Sequence, residues 1–156
     1  MLAERRPSRR IRLGTVDIGD GAPISIQSMT ITKTEDVGAT LIQVHALATQ
    51  GPDIVRVAVP HEGDARALPA IVAQAGVPIV ADIHFSYRLA LMALEAGVQG
   101  LRLNPGNIRD NGQIRTAYAR CLAVTSDQPF SSDCAPVVVD GHVTGAVPDE
   151  QAWTFE

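Results

Sequence analysis

From Ile24 onward the chain repeats one pattern: a short β-branched run ending in polar residues, an amphipathic stretch, and a closing glycine. The apolar runs are Ile24–Met29, Ile54–Val59, Pro78–Ile83 and Gly100–Leu103. They are nearly continuous rather than alternating, as expected of parallel strands covered on both faces. Between them, Val37, Leu41, Val44 and Ala48 share one face of a helix. Leu68, Ile71, Val72 and Ala75 mark a second helix, closed by Gly76 before Pro78, and Leu89, Met92, Ala93 and Ala96 a third, closed by Gly97. Thr34 is the expected N-cap of the first helix, with Glu35 and Asp36 in its first turn, where the helix dipole favours carboxylates. Pro69 fits the second helix only if it lies near the first turn.

Upstream, Ile11–Ile18 and Pro23–Gln27 are extended runs around Gly19-Asp20-Gly21, which predicts a short β-hairpin turning there. Four βα units predict an α/β fold, either a barrel or a doubly wound sheet. A closed barrel needs eight strands and usually about 250 residues. The expectation is therefore a partial TIM-type (β/α) barrel: a basic tail over 1–10, the hairpin and four βα units over 11–108, and a divergent segment over 109–156. In that last segment Thr116–Val124 reads as a short helix and 125–133 as a loop. Pro136–Asp140 reads as a strand that turns at Asp140-Gly141 into His142–Thr144.

Composition narrows this picture only slightly. The chain has 156 residues, 46% hydrophobic and 4% aromatic, so one domain with a core of Val, Ile, Leu and Ala is expected. No apolar run reaches the ~18–20 residues of a membrane span, and the first twelve residues lack the apolar stretch of a secretory signal. Two cysteines, Cys121 and Cys134, make neither a disulfide framework nor a four-ligand zinc site, so a cytoplasmic location without a metal is expected. The net charge of −4 argues against a general nucleic-acid binder, although five arginines (Arg5, Arg6, Arg9, Arg10 and Arg12) crowd the N-terminus. His45, His61 and His142 receive no role.

The ends of the runs carry the candidate chemistry. Parallel α/β sheets build their sites at the carboxyl ends of strands. There the sequence places Gln27, Ser28 and Thr30, then Arg56, then Asp82 and His84, then Arg102 and Asn104-Pro105-Gly106-Asn107. Such a set suits an anionic, oxygen-rich ligand, because the guanidinium fork matches phosphate and amides and hydroxyls bind the remaining oxygens. Duller readings stand beside it. Arg56 and Asp82 can form a structural ion pair, Asp82 can cap a helix, His84 can be a satisfied core histidine, and the Asn-Pro-Gly-Asn stretch is turn chemistry. Arg102 within Leu-Arg-Leu requires a carboxylate or a ligand in either case.

Four motifs in order carry a family resemblance: Gln27-Ser28-Met29-Thr30, Asp53 through Pro60, Val80 through Phe85, and Leu101 through Ile108. Together they resemble the N-terminal part of the 4-hydroxy-3-methylbut-2-enyl diphosphate synthases, iron–sulfur enzymes of the methylerythritol phosphate route to isoprenoids. The resemblance implies a TIM barrel followed by a domain holding a [4Fe-4S] cluster on three cysteines and a glutamate. It implies reductive ring opening of 2-C-methyl-D-erythritol 2,4-cyclodiphosphate, with electrons from flavodoxin or ferredoxin. It assigns substrate binding to Arg56, Arg102, Asn104, Ser28, Asp82, His84 and Asn107, and no catalytic or metal-ligating residue. After Ile108 the resemblance stops and no cluster ligands follow, so the expectation is a truncated or frameshifted form without its own cofactor. The alternative is a non-catalytic, phosphate-binding half-barrel that acts by associating with another chain or with itself.

Overall fold

The computed structural model describes residues 8, 10–104, 107 and 108, together with the strands Val137–Val139 and His142–Thr144. Most of the basic tail, the helix expected over Thr116–Val124, the loop over 125–133 and both cysteines lie outside the described residues.

The chain opens with an antiparallel hairpin, β1 (Ile11–Leu13) and β2 (Val16–Ile18), in which Ile11 faces Ile18 and Leu13 faces Val16. Its turn lies at Gly14-Thr15, not at Gly19–Gly21 as expected. Gly14 takes a positive φ of 59°, the backbone that two-residue hairpin turns demand. Gly19-Asp20-Gly21 does run through positive φ values, but it forms a tight turn that carries the chain away from the hairpin (Ala22 N–H to the Gly19 carbonyl, 2.9 Å).

Then come β3 (Gln27–Met29), α1 (Val37–Ala48), β4 (Ile54–Ala58), α2 (Glu62–Gln74), β5 (Ile79–Ile83), α3 (Tyr87–Glu95) and β6 (Gly100–Leu103). The four strands β3–β6 pair in parallel and in sequence order, as the repeat predicts. A fifth parallel strand, β7 (Val137–Val139), adds to β6. It turns back antiparallel into β8 (His142–Thr144), so the strand pair expected in the divergent segment joins the sheet. β3 is shorter than the run Ile24–Met29 because Asp53 intervenes. The Asp53 carboxylate accepts the Ile26 amide at 2.8 Å, and the ladder to β4 begins only at Gln27.

Two helix starts differ from expectation. α1 is capped by Asp36, whose carboxylate accepts the Ala39 amide at 3.0 Å, and its first turn carries no acidic residue. Thr34 is buried and its hydroxyl instead donates to the Ala58 carbonyl at 2.6 Å, tying the loop after β3 to the end of β4. Pro69 sits in the interior of α2 rather than near its start. It lies on the exposed face, where its lost amide costs the helix a bond but the core no contact.

The sheet has two faces of different character. One carries Val55, Val57, Val59, Ile79, Ala81, Ile83, Leu101 and Leu103 under the three helices, with Leu68, Ile71 and Ala90 fully buried against it. Each fully buried aliphatic side chain there contributes roughly 1.5–3 kcal/mol. The other face is apolar only at its amino end, where Ile54 and Val80 pack on Leu13, Val16 and Ile18 of the hairpin. The hairpin thus plugs that end of the inner face. Gly100 makes room for it: a Cβ there would lie 2.8 Å from Leu13 Cδ1.

Gly100→Ala should therefore overpack the plug and destabilise the chain by about 1–3 kcal/mol. A urea melt checks this, and Leu13→Ala in the same chain should recover part of the loss relative to the sum of the single variants.

Candidate anion site

Past the plug, the inner face turns charged. Side chains alternate along a strand, so Ile54 and Arg56, Val80 and Asp82, and Gly100 and Arg102 share that face. The register sets Arg56 against Val80, and Asp82 against both Ala58 and Arg102. Two arginines from β4 and β6 therefore flank one carboxylate on the strand between them.

The contacts follow. Arg102 Nη1 donates to Asp82 Oδ1 at 3.0 Å, and Arg56 Nε lies 3.3 Å from Asp82 Oδ2. The Asp82 side chain is 3% exposed, while those of Arg56 and Arg102 are 29% and 22% exposed. Arg56 is steadied from the other side by Met29 Sδ, 3.4 Å from Nε and 3.3 Å from Nη2. His84, one step beyond β5, brings Nδ1 to 3.6 Å from Asp82 Oδ1 and its ring beside that of Phe85, which is largely exposed.

Magnitudes decide what this cluster is for. At an effective dielectric near 20, unit charges about 4 Å apart attract by roughly 4 kcal/mol. Burying a carboxylate costs several kcal/mol, so the cluster contributes little net stability. What remains is geometry and charge. Two guanidiniums meet one carboxylate, leaving one positive charge uncompensated among the three groups. Arg102 bonds Asp82 through one of its five N–H donors, Nη1, and its side chain remains 22% exposed. Such a pair of oriented forks beside an open rim suits a phosphate-like anion.

The other residues that the sequence nominates are placed as follows. Asn104 continues β6, its amide donating to the Ile83 carbonyl at 3.2 Å. Its carbonyl accepts the amides of Asn107 and Ile108 at 3.1 and 3.0 Å, so the chain is drawn back toward the end of β6 at these residues. Asn107 is exposed there. Ser28 is not brought to the cluster. It alternates with Met29 and faces the opposite side of the sheet, where it lines a groove with Gln43, Ala46 and Leu47 of α1. Thr30 is buried, and its hydroxyl has no hydrogen-bond partner among the described residues. Met29 was missed as a partner of Arg56, although its register opposite Arg56 was open to inference once the two strands were paired.

A family model described as the GcpE TIM-barrel domain matches residues 8–127. The chain is 52% identical over 120 residues to the 4-hydroxy-3-methylbut-2-en-1-yl diphosphate synthase (flavodoxin) of Sulfurihydrogenibium sp. strain YO3AOP1, covering 77% of this chain and 34% of that protein. It is 57% identical over 112 residues to the protein of the same name from Shewanella frigidimarina strain NCIMB 400, covering 72% and 30%. The chain thus spans about a third of the length of the curated relatives it matches. Among solved structures, Xanthomonas albilineans dihydropteroate synthase in complex with indole-2-carboxylic acid and 6-chloroguanine superposes with a TM-score of 0.53. That match has 19% identity and covers 72% of this chain and 46% of the other, which shows the fold alone.

Removing the shared carboxylate should be costly. Asp82→Ala leaves two guanidiniums facing each other and should destabilise the chain by about 3 kcal/mol, against a smaller loss for Asp82→Asn, which keeps an acceptor. Chemical denaturation of both variants checks the order.

Proposed function

The chain belongs to the GcpE TIM-barrel family, and from that premise we propose that its barrel rim binds the diphosphate of 2-C-methyl-D-erythritol 2,4-cyclodiphosphate. In this reading it does so for the reductive ring opening that the family resemblance implies, with flavodoxin, which the relatives' name carries, as the electron source. The observation that carries the reading is the Arg56–Asp82–Arg102 cluster at the carboxyl ends of three adjacent strands.

In this reading Arg56 and Arg102 take diphosphate oxygens through their spare N–H groups. Asp82 touches no substrate. It holds the two forks at a fixed separation, which favours a ligand with two anionic centres over a single small ion. His84 donates from the rim, and the side chains of Asn104 and Asn107, just past β6, add carboxamide contacts to the anion. Ser28, on the other face, is left out of the anion's immediate shell. The implied [4Fe-4S] cluster does not fit these residues. Its three-cysteine ligand set exceeds the two cysteines of the sequence, and among the described residues no group of three His, Cys, Asp or Glu can hold a metal. The residues of the rim bind and orient the anion. Among the described residues no helix is long and apolar enough to cross a membrane.

A second reading, a phosphate-binding half-barrel that acts by association, is favoured by one observation. β3 ends the sheet without a strand partner among the described residues, and Ile24, Ile26, Ile31 and Ile42 beside it are 59–91% exposed. An unpaired edge without charged side chains is a template for pairing.

Two outcomes test these readings. Arg102→Gln, which keeps a donor to Asp82, should weaken pyrophosphate binding in calorimetry at least tenfold while leaving a cooperative melt, and unchanged affinity would remove the anion site. Light scattering should show concentration-dependent association that Ile26→Lys suppresses, and a monomer at all concentrations would remove the second reading.

A further inference from the structure

A second buried carboxylate, Asp64, lies outside the arginine cluster and is 4% exposed. It sits in the first turn of α2 and accepts two backbone amides from different loops. Its Oδ2 takes the His61 N–H at 3.1 Å and its Oδ1 takes the Glu35 N–H at 3.0 Å. The first bond is an ordinary cap of its own helix. The second reaches 29 residues back, to the loop between β3 and α1. The Glu35 side chain lies against Gly63 at the start of the same helix, with Oε2 3.0 Å from where a Cβ would stand.

The loop it holds is fastened at every turn. Gln43 Oε1 accepts the amides of Ile31 and Thr32 at 2.8 and 3.2 Å, and the Thr40 hydroxyl donates to the Lys33 carbonyl at 3.1 Å. Thr34 donates to the Ala58 carbonyl, two residues past Arg56 on the same strand. Asp64 therefore joins the loops that follow β3 and β4. Those are the two strands carrying Met29 and Arg56, the contact that steadies one of the two forks.

We propose that Asp64 is a positioning residue for the anion site: by latching the β3–α1 loop to the start of α2 it fixes Arg56, and it leaves Arg102 untouched. The proposal rests on the anion-site reading above and assigns a residue outside that site. It makes a directional claim that a general structural role does not. Loss of the latch should couple more strongly to Arg56 than to Arg102, because Arg102 meets Arg56 only through the shared Asp82.

The test is a pair of double-mutant cycles on pyrophosphate affinity, measured by calorimetry on the full chain. Asp64→Asn keeps one acceptor oxygen and the volume of the side chain, so it releases one amide without opening a cavity, and a cooperative melt of each variant confirms folding. Asp64→Ser serves as a second variant should the Asn form fail to fold. The expected result is a five- to tenfold loss for Asp64→Asn alone. Little further loss should follow when it is added to Arg56→Lys, and most of the five- to tenfold loss when it is added to Arg102→Lys. Faster amide hydrogen exchange at Glu35 or His61 should accompany the first change. Unaltered affinity, or equal additivity with both arginines, overturns the latch while the anion site stands. Failure of the wild-type chain to bind pyrophosphate overturns both.

Discussion

One carboxylate between two guanidiniums organises the functional end of this fold. Asp82 is almost wholly buried, and a buried charge survives only with partners. Its partners come from the strands on either side, so the parallel register of β4, β5 and β6 is a precondition of its pairing. A slip of one residue in any of these strands would turn its charged side chain toward the helices, where the aliphatic layer has no answering charge. The cluster therefore enforces register as well as presenting charge.

The inner face divides the labour along its length. At the amino end the β1–β2 hairpin covers Ile54 and Val80, and Gly100 lets Leu13 sit close. That end contributes burial and nothing else. At the carboxyl end the same strands present arginines that the helices on the opposite face cannot reach. Stability thus comes from one layer and one plug, which frees the rim to carry a surplus of positive charge that contributes little to folding. The rim loops are held by side chains that accept backbone amides, Gln43, Asp36 and Asp64 among them, so that end is rigid without being apolar.

Much of this was legible in the sequence. The βα repeat located four strands and three helices, and the placement of Arg56, Asp82 and Arg102 at strand ends foretold their convergence. What escaped were side chains that compete with backbone partners. Asp53 takes the Ile26 amide and shortens β3, and Thr34 bonds to Ala58 instead of capping α1. Local propensity does not reveal a bond to a residue some 25 positions away. Ser28 shows a related limit: it stands in a motif beside Met29, but alternation sends the two to opposite faces. The hairpin turn was misplaced because Gly14 and Gly19-Asp20-Gly21 carry the same chemical signal, and only the pairing of Leu13 with Val16 distinguishes them.

The most direct test of the account is a crystal structure of the chain grown with pyrophosphate. The account predicts the anion at the carboxyl end of β4–β6, with oxygens within hydrogen-bond distance of both Arg56 and Arg102 and with Asp82 still bridging the two. Pyrophosphate seated elsewhere, or an Arg56–Asp82–Arg102 cluster that closes on itself and excludes it, would contradict the account.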